Sequence, residues 1–347
     1  MTRRDLLGSG IVAGVGMALP SLSMAKASSS ARTVRLDTDR FELVFPKQKM
    51  VRIMQVTDTH FGSPTIEEAS TDEMTKALIR DLVEDYRPDL IFHTGDFINN
   101  DKVKPRFEAI EFMNELAVPW AFIFGNHDHP TGESGQRSLD EYAKSLGDAV
   151  VGHHKQAGRR EYCYRIDLRI EGSKPFASLI AFNTGSADGG MKVTPTQTEW
   201  FQNQLESDRS RGHAAPILVM QHVPTVEYRD VFAQHHALGR QGEHVCFEQD
   251  QGEIFKAYAE SGRVRAVFCG HDHVNDYVGE LQGVKLVYGR CTGFSGYGDW
   301  QRGARLIDID CETGRIRTRV VLDRLAYEKP EWSKTLAYSD LTQKSQG

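Results

Sequence analysis

Short apolar runs alternate in this chain with longer stretches whose apolar residues recur at helical spacing. Runs typical of buried strands occupy 51–56, 90–92 and 120–124. Amphipathic stretches at 69–86 and 107–116 predict the helices that connect these strands. This strand–helix–strand order favours a mainly parallel sheet with right-handed crossovers, so the first part of the chain is predicted to be α/β.

The remaining pattern predicts a second sheet. Residues 162–170 and 176–182 are expected to form antiparallel strands joined by a turn at 171–174. The other expected elements are helices at 137–146, 195–208 (with Thr194 as N-cap) and 254–260, strands at 217–220, 264–269, 304–309 and 316–322, and a weak strand pattern over 33–45. Residues 226–252 show no clear period and are expected to form a long loop over the site, of the kind that carries specificity.

Five of the predicted strands end in polar side chains that can bind metals. They are Asp58 and His60, Asp96, Asn126 with His127 and Asp128, His222, and His271 with His273. Each residue alone could belong to a surface turn or be an ordinary core histidine. Because ligands of open α/β sheets gather at the carboxyl ends of strands, five such ends in order indicate one shared site. Residues two apart on an extended segment face the same way, so each D-x-H or H-x-H pair can share one ion.

These motifs together resemble the calcineurin-like metallophosphoesterase superfamily. The resemblance is carried by Asp58-x-His60, Gly95-Asp96, Gly125-Asn126-His127-Asp128, Val219-x-x-His222 and Gly270-His271-x-His273. Residues 270–276, 288–289 and 296–298 are further similar to the branch that contains plant purple acid phosphatase homologues and certain fungal protein phosphatases. The resemblance implies a four-layer α/β/β/α sandwich with two mixed β-sheets and two metal ions at the sheet ends.

The resemblance also implies a division of the ligands. Asp58, His60, Asp96 and His273 would hold one ion, and Asp96, Asn126, His222 and His271 the other, with Asp96 bridging them. Imidazole, carboxylate and amide ligands suit transition metals such as Fe, Mn, Zn or Co better than Ca²⁺, and the identity of the two ions stays open. A metal-bridging hydroxide would attack phosphorus in line, and His127 would donate a proton to the leaving group. Asp128 would either align His127 or only cap a turn.

Composition and charge narrow the function further. The 347 residues are 39% hydrophobic and 26% charged, with a mean hydropathy of −0.46, as is typical of a globular protein. A net charge of −6, from 42 Lys+Arg and 48 Asp+Glu, argues against a nucleic-acid partner. Five cysteines without C-x-x-C spacing predict no zinc module, and a single disulfide stays open.

Residues 1–27 resemble a bacterial twin-arginine signal peptide. Arg3-Arg4 precedes an apolar, glycine-containing stretch at 8–22, and Ala25-Lys26-Ala27 offers a cleavage site. The apolar stretch is too short and glycine-rich for a stable membrane span, although an uncleaved tail or signal anchor is the alternative. We therefore expect export by the twin-arginine machinery to the periplasm or outside the cell, with no membrane span in the mature chain. A single metallophosphoesterase domain is expected over 33–323, followed by a polar tail over 324–347.

The expected function is hydrolysis of a phosphomonoester, on a small molecule or a protein, by a dinuclear metal site. A phosphodiesterase with the same site is the first alternative. A non-catalytic metal- or phosphate-binding protein would require a broken site, and no ligand position is missing. A protein-interaction module finds support only in residues 226–252. The residues His129, Arg240, Tyr297 and Trp300 could line the pocket or be ordinary surface and packing residues.

One departure from purple acid phosphatases predicts a spectroscopic property. That family has D-x-G and G-D-x-x-Y motifs, whose tyrosine binds ferric iron and gives the colour. Here His60 replaces the glycine, and Asn99 stands at the tyrosine position. The iron-loaded protein should therefore lack the visible tyrosinate absorption band, and a band in that region of its spectrum would contradict this prediction.

Overall fold

The computed structural model describes residues 31–62, 66–99, 108–128, 162–184, 191–234, 236–323 and 339–340 of the chain. Within 66–70 and 339–340, only the backbone is described. The predicted signal peptide at 1–27, the predicted helix at 137–146 and His129 lie outside these ranges.

The larger of two sheets in the described ranges has nine strands and is mixed. Numbered in chain order, its strands are arranged as β1 (Arg32–Arg35), β2 (Arg40–Phe45), β6 (Cys163–Ile170), β7 (Pro175–Phe182), β8 (Ile217–Met220), β10 (Val264–Cys269), β12 (Val284–Tyr288), β11 (Asn275–Leu281) and β9 (Ala237–Gln241). The central strands β7, β8, β10 and β12 are parallel to one another. Their carboxyl ends therefore lie at one edge of this sheet.

The smaller sheet is also mixed and has six described strands. Its order is β15 (Ser339–Asp340), β14 (Ile316–Leu322), β13 (Gly303–Asp310), β3 (Met50–Val56), β4 (Leu90–His93) and β5 (Trp120–Phe122). Strands β3, β4 and β5 are parallel, as predicted, and α1 (Ile66–Tyr86) and α2 (Glu108–Glu115) lie between them in sequence. Strand β15 pairs with β14 and belongs to the region predicted as a polar tail.

Two apolar clusters hold the layers together. The first joins both sheets with the buried faces of α1 and α2, and the second packs α3 (Pro195–Arg211), α4 (Glu227–Ala233) and α5 (Glu253–Ser261) onto the larger sheet. Alternate residues of β10 divide between them: Ala266 and Phe268 belong to the first cluster, Val267 and Cys269 to the second. The predicted four-layer α/β/β/α sandwich is confirmed, because each apolar face is buried against a neighbouring layer.

Most predicted boundaries agree with the structure to within a few residues. Helix α3 begins at Pro195 as expected, where Thr194 and Gln197 form a reciprocal capping box, and it continues three residues further to Arg211. The apolar run 120–124 forms a strand only to Phe122. The backbone N–H of Phe124 instead donates to Asn183 Oδ1 at 3.0 Å, which starts the turn toward the polar residues that follow.

The prediction of an unbroken loop over 226–252 was wrong. Helix α4 and strand β9 lie within it. Tyr228 and Val231 of α4 are buried in the second apolar cluster, and β9 pairs with β11 at the sheet edge. The helix is only seven residues long, and the strand has a mostly exposed pattern, so neither produces a clear sequence period.

Two further expectations concern covalent and membrane structure. All five cysteines lie in the described ranges, and each is a free thiol, so the open disulfide is not formed. Cys269 is buried, as its apolar surroundings predicted. None of the described helices has the length and apolar character required to cross a membrane.

Candidate metal centre

The polar residues predicted from the sequence meet where the carboxyl ends of five strands converge. The smaller sheet contributes the loops after β3, β4 and β5, and the larger sheet those after β8 and β10. Backbone bonds join the loops within each sheet: Asp58 N–H donates to Gly95 O (3.0 Å), and Gly270 N–H to His222 O (3.1 Å). The backbone N–H of His271 crosses between the sheets to Asp58 Oδ1 at 3.1 Å. The two sheet ends therefore form one site.

The first group of candidate ligands consists of Asp58, His60, Asp96 and His273, all buried. Their ligand atoms lie within 4.8 Å of one another. His60 Nε2 is 3.2 Å from His273 Nε2 and 3.6 Å from Asp96 Oδ2, while His273 Nε2 is 3.6 Å from Asp58 Oδ1. This is the set that the family resemblance implied for one ion.

The second group consists of Asp96, His222 and His271, again with ligand atoms within 4.8 Å. His222 Nε2 is 3.3 Å from Asp96 Oδ2 and 3.3 Å from His271 Nδ1. Asn126 Oδ1 joins this group at 3.0 Å from His222 Nε2. Asp96 thus belongs to both groups, and all seven predicted ligand residues are brought together.

Hydrogen bonds on the outer side of the rings assign the ring protons. His222 Nδ1 lies 2.8 Å from the carbonyl of Thr94, and His273 Nδ1 lies 3.2 Å from the carbonyl of Tyr297. Because a carbonyl can only accept, each Nδ1 carries the proton in the neutral ring and each Nε2 directs a lone pair inward. Lone pairs of imidazole, carboxylate and amide then face one another at 3.0–3.6 Å. Such converging acceptors suit a cation, so the residues fit a pair of transition-metal ions.

The charges in the site are strongly coupled. Burial alone would raise the pKa of Asp96, but the neighbouring His222, His60 and His127 hold that pKa well below its ordinary value. Burial also opposes protonation of His222, yet Asp96 and Asp58 raise its pKa to about 9. Burial lowers the pKa of His273 to about 4, against the attraction of Asp58. A proton therefore competes with a metal for the centre of the second group.

Four of the candidate ligands have left-handed backbone conformations. The φ angles are 55° at Asp58, 47° at His60, 52° at Asp96 and 76° at His271. Non-glycine residues rarely adopt positive φ, and each such residue costs on the order of 1–3 kcal/mol. The strain lies where strand directions must change abruptly so that side chains from different loops point to one centre.

The structure also identifies a buried positioning residue that the sequence reading missed. His93 lies at the end of β4, and burial together with His222 lowers its pKa to about 3, so it is neutral. Its Nδ1 accepts the N–H of Gly95 at 3.2 Å, and its Nε2 lies 2.9 Å from Thr59 Oγ1. The Thr59 hydroxyl donates onward to Phe97 O at 2.8 Å. His93 thereby ties the β3 loop to the β4 loop. Its place three residues before Asp96 is the only sequence signal.

His127 and Asp128 occupy different environments. The backbone N–H of His127 donates to Asp96 Oδ1 at 2.9 Å, and its ring lies 4.8 Å from that of His60 at the cavity wall. The Asp128 carboxylate accepts the N–H groups of Phe97 (3.2 Å), Ile98 (2.9 Å) and Gly125 (2.7 Å). None of the hydrogen bonds described for Asp128 goes to His127. These contacts support the turn cap rather than the alignment of His127.

Burial and the nearby Asp96 raise the pKa of Asp128 to about 7, while its three N–H donors lower it. The carboxylate is fully buried, so its environment is that of a structural group beneath the site rather than a group open to substrate. Asp128 holds the β4 and β5 loops against each other, and this positions Asp96 and Asn126.

A cavity of about 330 Å³ opens above the two groups. Its wall includes Asn99, Tyr297, Cys246 and Glu248 in addition to candidate ligands. Part of residues 226–252 therefore lies at the site, as expected. Of the four residues that the sequence left open, Tyr297 lines this cavity, whereas Arg240 stacks on Trp300 at 4.5 Å and neither of them lines it.

Comparisons with known proteins agree with this geometry. A family model described as calcineurin-like phosphoesterase matches residues 51–275. A protein of Arabidopsis thaliana, named "Probable inactive purple acid phosphatase 28", is 28% identical and covers 86% of this chain and 85% of its own. Phosphatase DCR2 of Saccharomyces cerevisiae is 23% identical over 82% of this chain and 55% of its own length. Plant and fungal relatives of this kind were expected from the later motifs.

A solved structure shows the likeness of fold. The crystal structure of a dimetal phosphatase from Danio rerio covers 79% of this chain and 96% of its own. The TM-score is 0.51 at 12% sequence identity.

Gly125→Ala should disrupt the centre, because no side chain fits at this position. A Cβ there would lie 2.2 Å from Asp96 Oδ1 and 2.8 Å from His222 Nε2. We expect the affinity for metal to fall about 10- to 100-fold, as when ligand orientation is lost. Calorimetric titration of the chelator-stripped protein with Mn²⁺ or Zn²⁺ measures this.

Gly172→Ala is the matched control. Gly172 also has a positive φ of 76°, but a Cβ there would meet no atom within 4 Å. It should cost about 1–2 kcal/mol of stability and leave metal binding unchanged. Equal metal binding by both variants would contradict the close packing described for Gly125.

Proposed function

Because the chain belongs to the calcineurin-like phosphoesterase family, we propose that it hydrolyses phosphomonoesters with a pair of transition-metal ions. The observation that carries this proposal is the meeting of two ligand groups on the shared carboxylate of Asp96. Every position of the family motif is occupied by a residue that can bind a metal, and each lies at the common centre. This supports a working site rather than a broken one.

The names of relatives support the class of reaction and also define its main alternative. The plant relative is described by its name as inactive, whereas the yeast relative is named a phosphatase. Both descriptions apply to those proteins. For this chain, the intact ligand groups favour activity, and a non-catalytic metal-binding protein is the outcome that experiment must exclude.

In the proposed mechanism, two bound ions supply positive charge for the phosphoryl oxygens and a water acidified enough to act as nucleophile near neutral pH. Asp58, His60, Asp96 and His273 hold the first ion, and Asp96, Asn126, His222 and His271 hold the second. The nitrogen and oxygen donors suit Fe, Mn or Zn. The carbonyls of Thr94 and Tyr297 keep the ring protons of His222 and His273 on the outer side, so both rings remain neutral ligands.

His127 has a different task, which is to donate a proton to the oxygen of the leaving group. Its backbone is bonded to Asp96, and its ring stands at the cavity wall beside His60. This position supports access to a substrate phosphoryl group without making His127 a member of either ligand group. Asp128 acts earlier in the chain of support, by holding the β4 and β5 loops together.

We also propose that the protein is exported through the twin-arginine pathway to the periplasm or the cell exterior. Support comes from Arg3-Arg4 and the cleavage site at Ala25-Lys26-Ala27. That pathway carries folded proteins, which suits a protein that acquires metals on folding. Replacement of both Arg3 and Arg4 by Lys should leave the chain in the cytoplasm, and unchanged export in a cell-fractionation assay would exclude this route.

The proposed activity is tested by metal analysis and a panel of esters. Chelator-stripped protein, reloaded separately with Mn²⁺, Zn²⁺ and Fe²⁺, should bind two ions per chain. It should hydrolyse p-nitrophenyl phosphate faster than bis(p-nitrophenyl) phosphate. The reverse preference would identify a phosphodiesterase. Binding of two ions without hydrolysis of any ester would support the non-catalytic alternative instead.

His127→Ala should reduce kcat about 10²- to 10⁴-fold without loss of bound metal. The loss should be larger for an alkyl phosphate than for p-nitrophenyl phosphate, because a poor leaving group depends more on protonation. His236→Ala, at an exposed site, is the control and should keep full activity. An equal loss for both substrates would mean that His127 binds the phosphoryl group and does not protonate the leaving oxygen.

A further inference from the structure

Three of the site histidines have an identified partner on the outward ring nitrogen. For His222 and His273 this partner is a backbone carbonyl. For His271 it is a side chain: His271 Nε2 lies 3.5 Å from Glu248 Oε1, within the range of an ion pair, while His271 Nδ1 faces His222. Of these three outer partners, Glu248 is therefore the one that a substitution can remove without moving the backbone.

Glu248 belongs to a segment, 242–248, that is bonded to the loop carrying His271 and His273. Gly242 N–H donates to Val274 O at 2.8 Å, and Glu243 Oε1 accepts the N–H of Val274 at 3.0 Å. The Asp272 carboxylate accepts the N–H of Cys246 at 3.2 Å. These bonds on both sides of Asp272 hold segment 242–248 at a fixed distance from His271.

Further bonds extend this attachment. Asn275 Oδ1 accepts the N–H groups of Gly242 (3.0 Å) and Glu243 (3.1 Å). Glu243 Oε2 also accepts the hydroxyl of Tyr297 at 2.8 Å, and the Tyr297 ring stacks on His273 at 4.0 Å. Segment 242–248 thus borders both histidines of the G-H-x-H motif, through Glu243 and Tyr297 at His273 and through Glu248 at His271.

The conformation of Glu248 is unusual for an exposed residue. Its side chain is 38% exposed, yet its φ is 52°, in the left-handed region. A solvated glutamate has no packing reason to adopt this strain, whereas the conformation places its carboxylate against the ring of His271. A carboxylate on the outer nitrogen of a metal-binding histidine fixes the tautomer and orientation of the ring and increases its basicity.

We propose that Glu248 is a positioning residue for the second ion: it orients His271 and strengthens its Nδ1 as a ligand, with little effect on the first ion. This inference rests on the metal pair of the proposed function. It extends that function to a residue outside the family motif and outside both ligand groups, and it assigns a task to segment 242–248.

The test is metal binding by the full chain, after removal of metal with a chelator and titration with Mn²⁺ by calorimetry. Glu248→Ala should weaken one of the two binding steps about 10- to 100-fold and leave the other unchanged. Glu248→Gln, whose amide oxygen still accepts the His271 proton without the charge, should lie between Ala and the original chain. This graded rescue separates positioning from a merely structural role.

Two backgrounds identify the ion that is affected. In Asn126→Ala, which already lacks a ligand of the second group, adding Glu248→Ala should cause little further loss. In His60→Ala, which lacks a ligand of the first group, Glu248→Ala should still weaken the ion that remains. Glu171→Gln, an exposed glutamate in the turn between β6 and β7, makes the same charge change away from the site and should alter neither step.

Unchanged binding in Glu248→Ala, or an equal loss of both ions, would overturn this inference. So would unchanged metal binding accompanied by a higher KM, which would make Glu248 a substrate contact. None of these readouts requires phosphatase activity. Two ions bound without ester hydrolysis would overturn the proposed function alone and leave the role of Glu248 standing.

Discussion

The site depends on the burial of Asp96 at the junction of three loops. Its Oδ2 faces His60 and His222, and its Oδ1 accepts the backbone N–H of His127, so the loops after β3, β5 and β8 all meet on this carboxylate. A buried carboxylate costs several kcal/mol unless charges and donors compensate it. The surrounding residues must therefore be imidazoles, N–H groups or bound cations, and this requirement determines which side chains can occupy the centre.

Bringing these groups together requires backbone that would not form alone. Asp58, His60, Asp96 and His271 have positive φ, and Gly125 approaches Asp96 so closely that no Cβ fits. Compensation comes from fully buried polar groups beneath the site. Asp128 accepts three N–H groups of the β4 and β5 loops, and neutral His93 bridges the β3 and β4 loops. The strain at the ligands is thus balanced by hydrogen bonds at residues that never contact the ions.

The two halves of the site are supported differently. Backbone carbonyls orient His222 and His273, so these contacts persist with almost any side chain at Thr94 or Tyr297. His271 depends on Glu248, a side chain carried by a segment attached to the edge of the larger sheet. The frame set by backbone contacts is compatible with a shared fold at 12% identity with the Danio rerio phosphatase, whereas side-chain supports can differ between relatives.

The sequence by itself determined the order of strands and helices and the seven candidate ligands, because apolar periodicity and polar strand ends are local signals. It also predicted two groups sharing Asp96, through resemblance to a family. Tertiary structure alone decided that Asp128 caps a turn, that His93 joins two loops, and that residues 226–252 contain α4 and β9. Glu248 likewise meets His271 across 23 positions, as their residue numbers show. Such contacts join residues distant in sequence, and no local pattern encodes the direction in which a strained loop turns its side chains.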